Sequence, residues 1–151
     1  MNDYSFLEED MKIKEMDDIT QVRIHLKPVG MSVSFYEIDG LLIDTGAPSH
    51  KKKLQAYYKD RPIEQVVLTH HHEDHSGLAS WLEREKNVPI YMMKETQEIL
   101  NQPYKIPFYR SFTWGQMPPV QGQVIEIGSV VETDKYQFKV CLLYTSPSPR
   151  D

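Results

Sequence analysis

A dense histidine cluster, THHHEDHSG at residues 69 to 77, constrains this chain more than any other feature of its sequence. Four of the six histidines lie between positions 70 and 75, beside two carboxylates. The β-branched segment IEQVVLT (63–69) precedes the cluster and predicts a buried strand, whereas SGLASWLEREKN (76–87) has the apolar spacing of a helix. We therefore expect a strand, a polar loop and a helix in succession, with Ser76 as the helix cap.

The segments on either side alternate between strand and helix patterns. Asp39-Gly40, flanked by apolar runs, predicts a hairpin turn within residues 33–46. The other predicted elements are a strand at 19–28, a helix at 48–60 with Leu54, Tyr57 and Tyr58 inward, a strand at 89–93 and a helix at 94–102. This order predicts an α/β layered fold.

Three segments have a weaker pattern. Residues 1–18 show no clear period and are interpreted as an N-terminal arm, either ordered or frayed. Residues 103–123 are rich in proline and aromatic residues, which is typical of a binding loop or of aromatic side chains that cover a core. Residues 124–140 return to a strand pattern in two pieces, with Gly128 between them.

Composition limits the classes of function. The 151 residues fit one domain, and a net charge of -5 with a pI near 5.7 argues against a nucleic-acid groove. No apolar run is long enough to span a membrane, and the acidic N-terminus lacks a signal pattern, so we expect a cytoplasmic protein without membrane contact. Cys141 is the only cysteine, which excludes an internal disulfide.

The histidine cluster has the composition of a metal site. His70, His72, Asp74 and His75 form an H-x-H-x-D-H array. On an extended loop the side chains at 70 and 72 point the same way and can reach one cation, and those at 74 and 75 turn towards a neighbouring position. Imidazole and carboxylate together suit zinc, iron or manganese, and zinc best.

Two segments carry a family resemblance. THHHEDHSG (69–77) resembles the metal-binding motif of the metallo-β-lactamase fold superfamily, and GLLIDTG (40–46) resembles the strand motif that precedes it. The order of elements is similar over residues 19–140. The resemblance implies an α/β fold of the four-layer αββα sandwich type, of which this chain contains roughly the N-terminal half.

The resemblance also implies roles for individual residues. His70 and His72 would bind a first metal ion, and Asp74 and His75 a second, with zinc expected and iron or manganese as alternatives. Asp44 would lie beside the loop that carries these ligands (residues 69–77, the metal loop) and hydrogen-bond to a ligand. Asp74 would in addition take part in proton transfer. His71 and Glu73 alternate with these residues and are expected to point away from the metals, because neighbouring side chains in an extended segment face opposite sides.

Some ligands that the resemblance implies have no counterpart in this sequence. The family pattern requires a third histidine after a strand such as YQFKV (136–140), a bridging aspartate and a final histidine, but no histidine follows His75. Residues 141–151, CLLYTSPSPRD, instead resemble the translation of a transposon-derived sequencing adapter. We therefore interpret 1–140 as a partial domain and 141–151 as a non-native tail, with a natural flexible tail as the alternative. Resequencing the source DNA across the codon for Val140 distinguishes the two.

For the intact parent protein, the resemblance implies a hydrolase in which metal-bound hydroxide attacks the carbonyl of a small ester, thioester or lactone. One alternative is a persulfide dioxygenase with a single iron, which shares the H-x-H-x-D-H motif. A nuclease of the same superfamily is another, although the acidic charge balance counts against it. The 151-residue chain itself is expected to be inactive and to expose an apolar sheet face, which favours aggregation.

Overall fold

The computed structural model describes residues 10–26, 30–102 and 118–141. Seven strands form one sheet in chain order: β1 (Met11–Met16), β2 (Ile19–Leu26), β3 (Met31–Ile38), β4 (Leu41–Ile43), β5 (Gln65–Val67), β6 (Ile90–Met92) and β7 (Gln123–Val124). A second, two-stranded sheet contains β8 (Val130–Glu132) and β9 (Gln137–Lys139). The helices are a 3₁₀ turn (Pro48–His50), α1 (Lys51–Lys59), α2 (Glu73–Ser76), α3 (Ala79–Glu85) and α4 (Lys94–Leu100). The predicted α/β class is confirmed.

The large sheet changes from antiparallel to parallel at β4. Strands β1 to β4 pair antiparallel, and β4 to β7 pair parallel. Parallel neighbours need crossover connections, which here contain α1, then α2 with α3, then α4. The carboxyl ends of β4 and β5 therefore lie at the same edge of the sheet, where open α/β sheets bind ligands.

The predicted hairpin turn between β3 and β4 is confirmed. Asp39 and Gly40 have φ angles of 48° and 84°, and they connect Ile38 and Leu41, which pair directly across the two strands. Positive φ at both central residues is the backbone of the two-residue turn that matches the twist of a hairpin, and Asp-Gly is a favoured sequence for it.

The core lies between one face of the sheet and the helices. Alternate residues of β2 and β3 are buried: Val22, Ile24 and Leu26 in the former, Val33 and Phe35 in the latter. The Phe35 ring packs tilted against Tyr58 of α1 with 5.6 Å between ring centroids, and Tyr57 meets both rings edge-on. The inward positions predicted for α1, which are Leu54, Tyr57 and Tyr58, are all buried.

The other face of the sheet carries a row of large side chains. Tyr36, Ile43, Val67 and Tyr91 pair in register across β3, β4, β5 and β6, and all four are half-buried. Since side chains alternate along a strand, this row points away from the inward side chain of Phe35. The aggregation expected from such a face stays a prediction.

The structure differs from the prediction in two segments, one before β2 and one after α4. Met11–Met16, in the segment interpreted as an arm, is an edge strand that pairs with β2 along its whole length. Residues 123–140 form three strands instead of two pieces, because a turn closed by Thr133 and Tyr136 folds β8 back onto β9. Residues 1–9 and 142–151, and 103–117 of the predicted aromatic loop, lie outside the described residues.

The helix predicted at residues 76–87 begins later in the structure, as α3, after the separate short helix α2, and the prediction of Ser76 as its cap is wrong. Ser76 ends α2, and its hydroxyl donates hydrogen bonds to the backbone carbonyls of His71 and His72. Within the described ranges, no helix is both long and apolar enough to cross a membrane.

Candidate metal centre

Three of the four predicted ligands come together at the carboxyl edge of the parallel strands. One ligand atom each from His70, Asp74 and His75 lies within 4.8 Å of the other two. His70 follows β5 by a short extended segment, whereas Asp74 and His75 lie in the first turn of α2. All three side chains are half-buried, so the group opens to solvent on one side.

His72, the fourth predicted ligand, lies next to this group. Its ring centroid is 4.7 Å from that of His70, and the His70 centroid is 4.2 Å from that of His75. The His70 ring therefore contacts both other rings, but its ligand atom groups with those of Asp74 and His75 and not, as the resemblance implied, with that of His72. The two remaining residues of the cluster, His71 and Glu73, are outside the group of three, and Glu73 is buried.

Asp44 connects the metal loop to the end of β4. Its Oδ1 accepts a hydrogen bond from the Thr69 backbone N–H at 2.8 Å. Its Oδ2 accepts from the Thr69 hydroxyl at 2.7 Å and from His75 Nδ1 at 2.8 Å. The residue has a φ of 64°, a conformation that Asp tolerates better than most residues, and this turns its carboxylate towards the loop. The structure thus places Asp44 beside a candidate ligand.

Thr45 and Gly46 hold the start of α2 against the β4 end. The Thr45 N–H and hydroxyl both donate to the His75 carbonyl, at 2.7 and 2.9 Å, and the same hydroxyl accepts from the Leu78 N–H at 2.9 Å. Gly77 N–H donates to the Gly46 carbonyl at 3.0 Å. These contacts fix the backbone that carries Asp74 and His75.

The electrostatics of the cluster follow from its crowding. Burial lowers the pKa of His75, but hydrogen bonds to Asp44 and Asp74 outweigh this and raise it to about 10. Burial likewise opposes ionisation of Asp74, yet its contact with His75 brings the pKa of Asp74 below the ordinary value. Burial, and then the positive charge of His75, lower the pKa of His70 to about 4. The cluster thus presents a neutral imidazole and a carboxylate at neutral pH.

The donor set fits a divalent metal ion. Three protein ligands that leave one position open are the composition of a catalytic zinc site, and two imidazoles with one carboxylate are among the common sets. His75 uses Nδ1 for Asp44, which leaves its Nε2, now 3.3 Å from Asp74 Oδ2, for a cation. Both side chains would contribute a ligand atom to such an ion.

Two other histidines have local partners outside the cluster. His25 on β2 contacts the hydroxyl of Ser32 on β3, and His50 lies between Ser49 and Asp10. Neither joins the group of three. Sequence reasoning missed Thr69 and Thr45, which hold the loop; the position of Thr69 at the end of the predicted strand 63–69 and that of Thr45 directly after Asp44 were the available signals.

Comparison with known proteins agrees with this fold. The family profile of the metallo-beta-lactamase superfamily matches residues 31–141. A subclass B3 metallo-beta-lactamase, MEM-A1 from a soil metagenome library, superposes with a TM-score of 0.57 at 19% identity, covering 80% of this chain and 47% of that protein. A metallo-beta-lactamase from Cronobacter sakazakii gives 0.64 at 15% identity, covering 82% and 51%. A beta-lactamase domain protein from Burkholderia ambifaria gives 0.58 at 19% identity, covering 85% and 47%.

The chain thus spans about half the length of the solved structures that it resembles. No curated protein matches it. At these identities the solved structures show the fold, whereas the profile covers more than half of the chain and includes both the β4 end and the metal loop. The chain belongs to the metallo-beta-lactamase superfamily, whose members bind metal ions and include metal-dependent hydrolases.

Proposed function

We propose that the intact parent protein is a metal-dependent hydrolase, with two zinc ions, that cleaves a small ester, thioester or lactone. The observation that supports this most is the group of His70, Asp74 and His75, whose ligand atoms lie within 4.8 Å of one another. The group lies at the carboxyl edge of β4 and β5, the part of an open α/β sheet where ligands bind.

The residues of the cluster have separate tasks in this proposal. His70, His72, Asp74 and His75 would hold the metal ions, and a divalent ion bound there would lower the pKa of water and stabilise negative charge on a carbonyl oxygen. Asp74 would also take part in proton transfer, for which its lowered pKa keeps it ionised at neutral pH. Asp44 keeps His75 aimed at the cluster through the 2.8 Å contact with Nδ1.

The 151-residue chain is proposed to bind metal without completing the hydrolytic site. The sequence supplies four candidate ligands in one loop and no histidine beyond position 75. A catalytic zinc site usually takes three protein ligands, so two ions that share four residues are incompletely held. Metal binding by this chain and hydrolysis by the intact parent are therefore separate measurements.

The first experiment measures zinc binding by the 151-residue chain. Metal-free protein is dialysed against zinc, and the bound metal is counted by mass spectrometry for the wild type, His70→Asn, Asp74→Asn and, as a matched control, His25→Asn. We expect the wild type and the His25 variant to bind about one zinc per chain and the cluster variants to bind several-fold less. Absence of zinc from the wild type contradicts the proposed site.

A second experiment addresses the reaction. Metal analysis of the intact parent, followed by assays on ester, thioester and lactone substrates, is expected to give two zincs per chain and hydrolysis. One iron per chain, with oxygen uptake on a persulfide, replaces the proposal by the dioxygenase alternative. Cleavage of nucleic acid with no action on the small substrates replaces it by the nuclease alternative.

A further inference from the structure

We propose that Thr69 is a positioning residue that fixes the tautomer of His70, so that Asp44 orients two ligand rings, His75 directly and His70 through the Thr69 hydroxyl. This inference rests on the proposed metal site for its purpose, but the tautomer of His70 is a property of the metal-free chain. It follows from the direction of three hydrogen bonds.

The direction is set at Asp44. An ionised carboxylate accepts hydrogen bonds and donates none. Its Oδ2 lies 2.7 Å from the Thr69 hydroxyl and 2.8 Å from His75 Nδ1, so both of those groups must donate to it. Each threonine hydroxyl has one proton, and the Thr69 hydroxyl uses it on Asp44.

The Thr69 hydroxyl can then only accept from its other neighbour. That neighbour is His70 Nδ1, at 2.9 Å. A neutral imidazole carries its proton on one nitrogen, and acceptance by Thr69 places it on Nδ1. Nε2 of His70 is left with its lone pair, which is the state that a metal ligand requires.

The two ligand rings are therefore oriented by the same carboxylate. His75 donates from Nδ1 to Asp44 itself, and His70 donates from Nδ1 to a hydroxyl that Asp44 holds. Both leave Nε2 for the metal, as expected when the outer nitrogen of a ligand histidine is hydrogen-bonded to a fixed acceptor. One carboxylate oxygen, Asp44 Oδ2, thus serves two rings whose centroids lie 4.2 Å apart.

The role of the Thr69 hydroxyl can be tested by substitution, because the backbone contact of Thr69 with Asp44 remains when the side chain is changed. The Thr69 N–H donates to Asp44 Oδ1 at 2.8 Å, and this bond does not depend on the residue type. Thr69→Val keeps the shape and the β-branch but removes the hydroxyl, and Thr69→Ser keeps the hydroxyl. The side chain is exposed, so neither change opens a cavity in the core.

The experiment is ¹⁵N NMR of the histidine rings in metal-free protein at pH 8, with the His70 signals assigned from their loss in His70→Asn. We expect the wild type and Thr69→Ser to show a protonated Nδ1 and an unprotonated Nε2 at His70, and Thr69→Val to move towards protonation at Nε2. Unchanged His25 signals and an unchanged thermal midpoint verify that the variants are folded. An unaltered His70 tautomer in Thr69→Val overturns the proposal.

Zinc affinity gives a second readout. A residue that orients a ligand changes metal affinity by about 10-fold to 100-fold when it is lost. Because Thr69 is exposed, we expect about 10-fold weaker zinc binding in Thr69→Val and wild-type affinity in Thr69→Ser. Equal affinity in all three proteins also overturns the proposal. If the wild type shows the Nδ1 tautomer yet binds no zinc, the proposed metal site fails and the role of Thr69 in orienting His70 stands.

Discussion

Replacing Gly77 by alanine tests how closely the metal loop packs against the β4 end. A Cβ built at Gly77 would clash with Pro48 Cδ and would lie 2.5 Å from Pro48 N and 2.6 Å from the Gly46 carbonyl oxygen. All three approaches are closer than real Cβ contacts, and two of the atoms belong to the backbone, which cannot rotate away. Gly77 has an ordinary helical φ of -59°, so any effect comes from space and not from backbone strain.

The expected free-energy change combines opposing contributions. At a helical position with free space, Gly→Ala stabilises a protein by up to about 1 kcal/mol, because it restricts the unfolded chain. Overpacking against rigid neighbours costs up to about 3 kcal/mol. Separation of Gly77 from Gly46 also loses a backbone hydrogen bond of roughly 1 kcal/mol. We therefore expect Gly77→Ala to lower the free energy of unfolding by about 3 kcal/mol.

Urea denaturation of metal-free protein measures this change, with Gly30→Ala as the matched control. Gly30 has a φ of 64° and no atom near its built Cβ, so alanine there carries backbone strain without a clash. We expect the control to lose roughly 1–2 kcal/mol. A Gly77→Ala protein as stable as the wild type, or more stable, refutes the close packing of these two loops.

Three further changes have defined outcomes. Folding raises the pKa of His75 from 6.5 to about 10, so protonated His75 stabilises the folded metal-free protein. This stabilisation is fully present below pH 6.5 and is lost as the pH rises through 10. In Asp44→Asn, stability should decline less as the pH rises from 6.5 to 10, which urea denaturation midpoints across this range measure. An unchanged pH dependence contradicts the role of Asp44 in raising the pKa of His75. Tyr58→Phe removes the buried hydroxyl that donates to the Thr45 carbonyl at 2.7 Å and should lower the free energy of unfolding by about 1–2 kcal/mol, with retained zinc binding. Glu37→Gln weakens the ion pair with Arg61 and should lower the free energy of unfolding by about 2 kcal/mol at low salt. An unchanged denaturation midpoint argues against that pair.

The parts of the fold that sequence predicted correctly depend on local signals. Asp39-Gly40 specifies its own turn, and the spacing of Leu54, Tyr57 and Tyr58 specifies one helix face. Strand β1 was missed because half of MKIKEM is charged, and its strand state depends on pairing with β2, a long-range contact. The separate short helix α2 before α3 was missed for a similar reason. Ser76 bonds to the loop carbonyls before it, which no helix pattern reveals.

The candidate site divides in the same way. The spacing predicted that His70 and His72 face one cation and that Asp74 and His75 face a neighbouring one, whereas the structure groups His70 with Asp74 and His75 and leaves His72 beside them. Whether they bind metal stays a prediction. The role of Thr69 required the conformation of Asp44, whose positive φ turns its carboxylate across the sheet edge towards a residue 25 positions later. Such hydrogen bonds depend on the relative position of two strands, and a single sequence does not contain that information.

The connectivity of the large sheet has a consequence for the order in which this protein folds. Strands β1, β2 and β3 pair through adjacent hairpins, whereas the contact between the Lys135 N–H and Asp39 Oδ2 joins residues 96 positions apart. Closing longer loops takes more chain entropy, and rates of folding fall as contacts become less local. We expect the antiparallel meander to form early and the β8–β9 hairpin to dock last. The metal loop requires β4 and β5 to be side by side, so it becomes ordered between these two events.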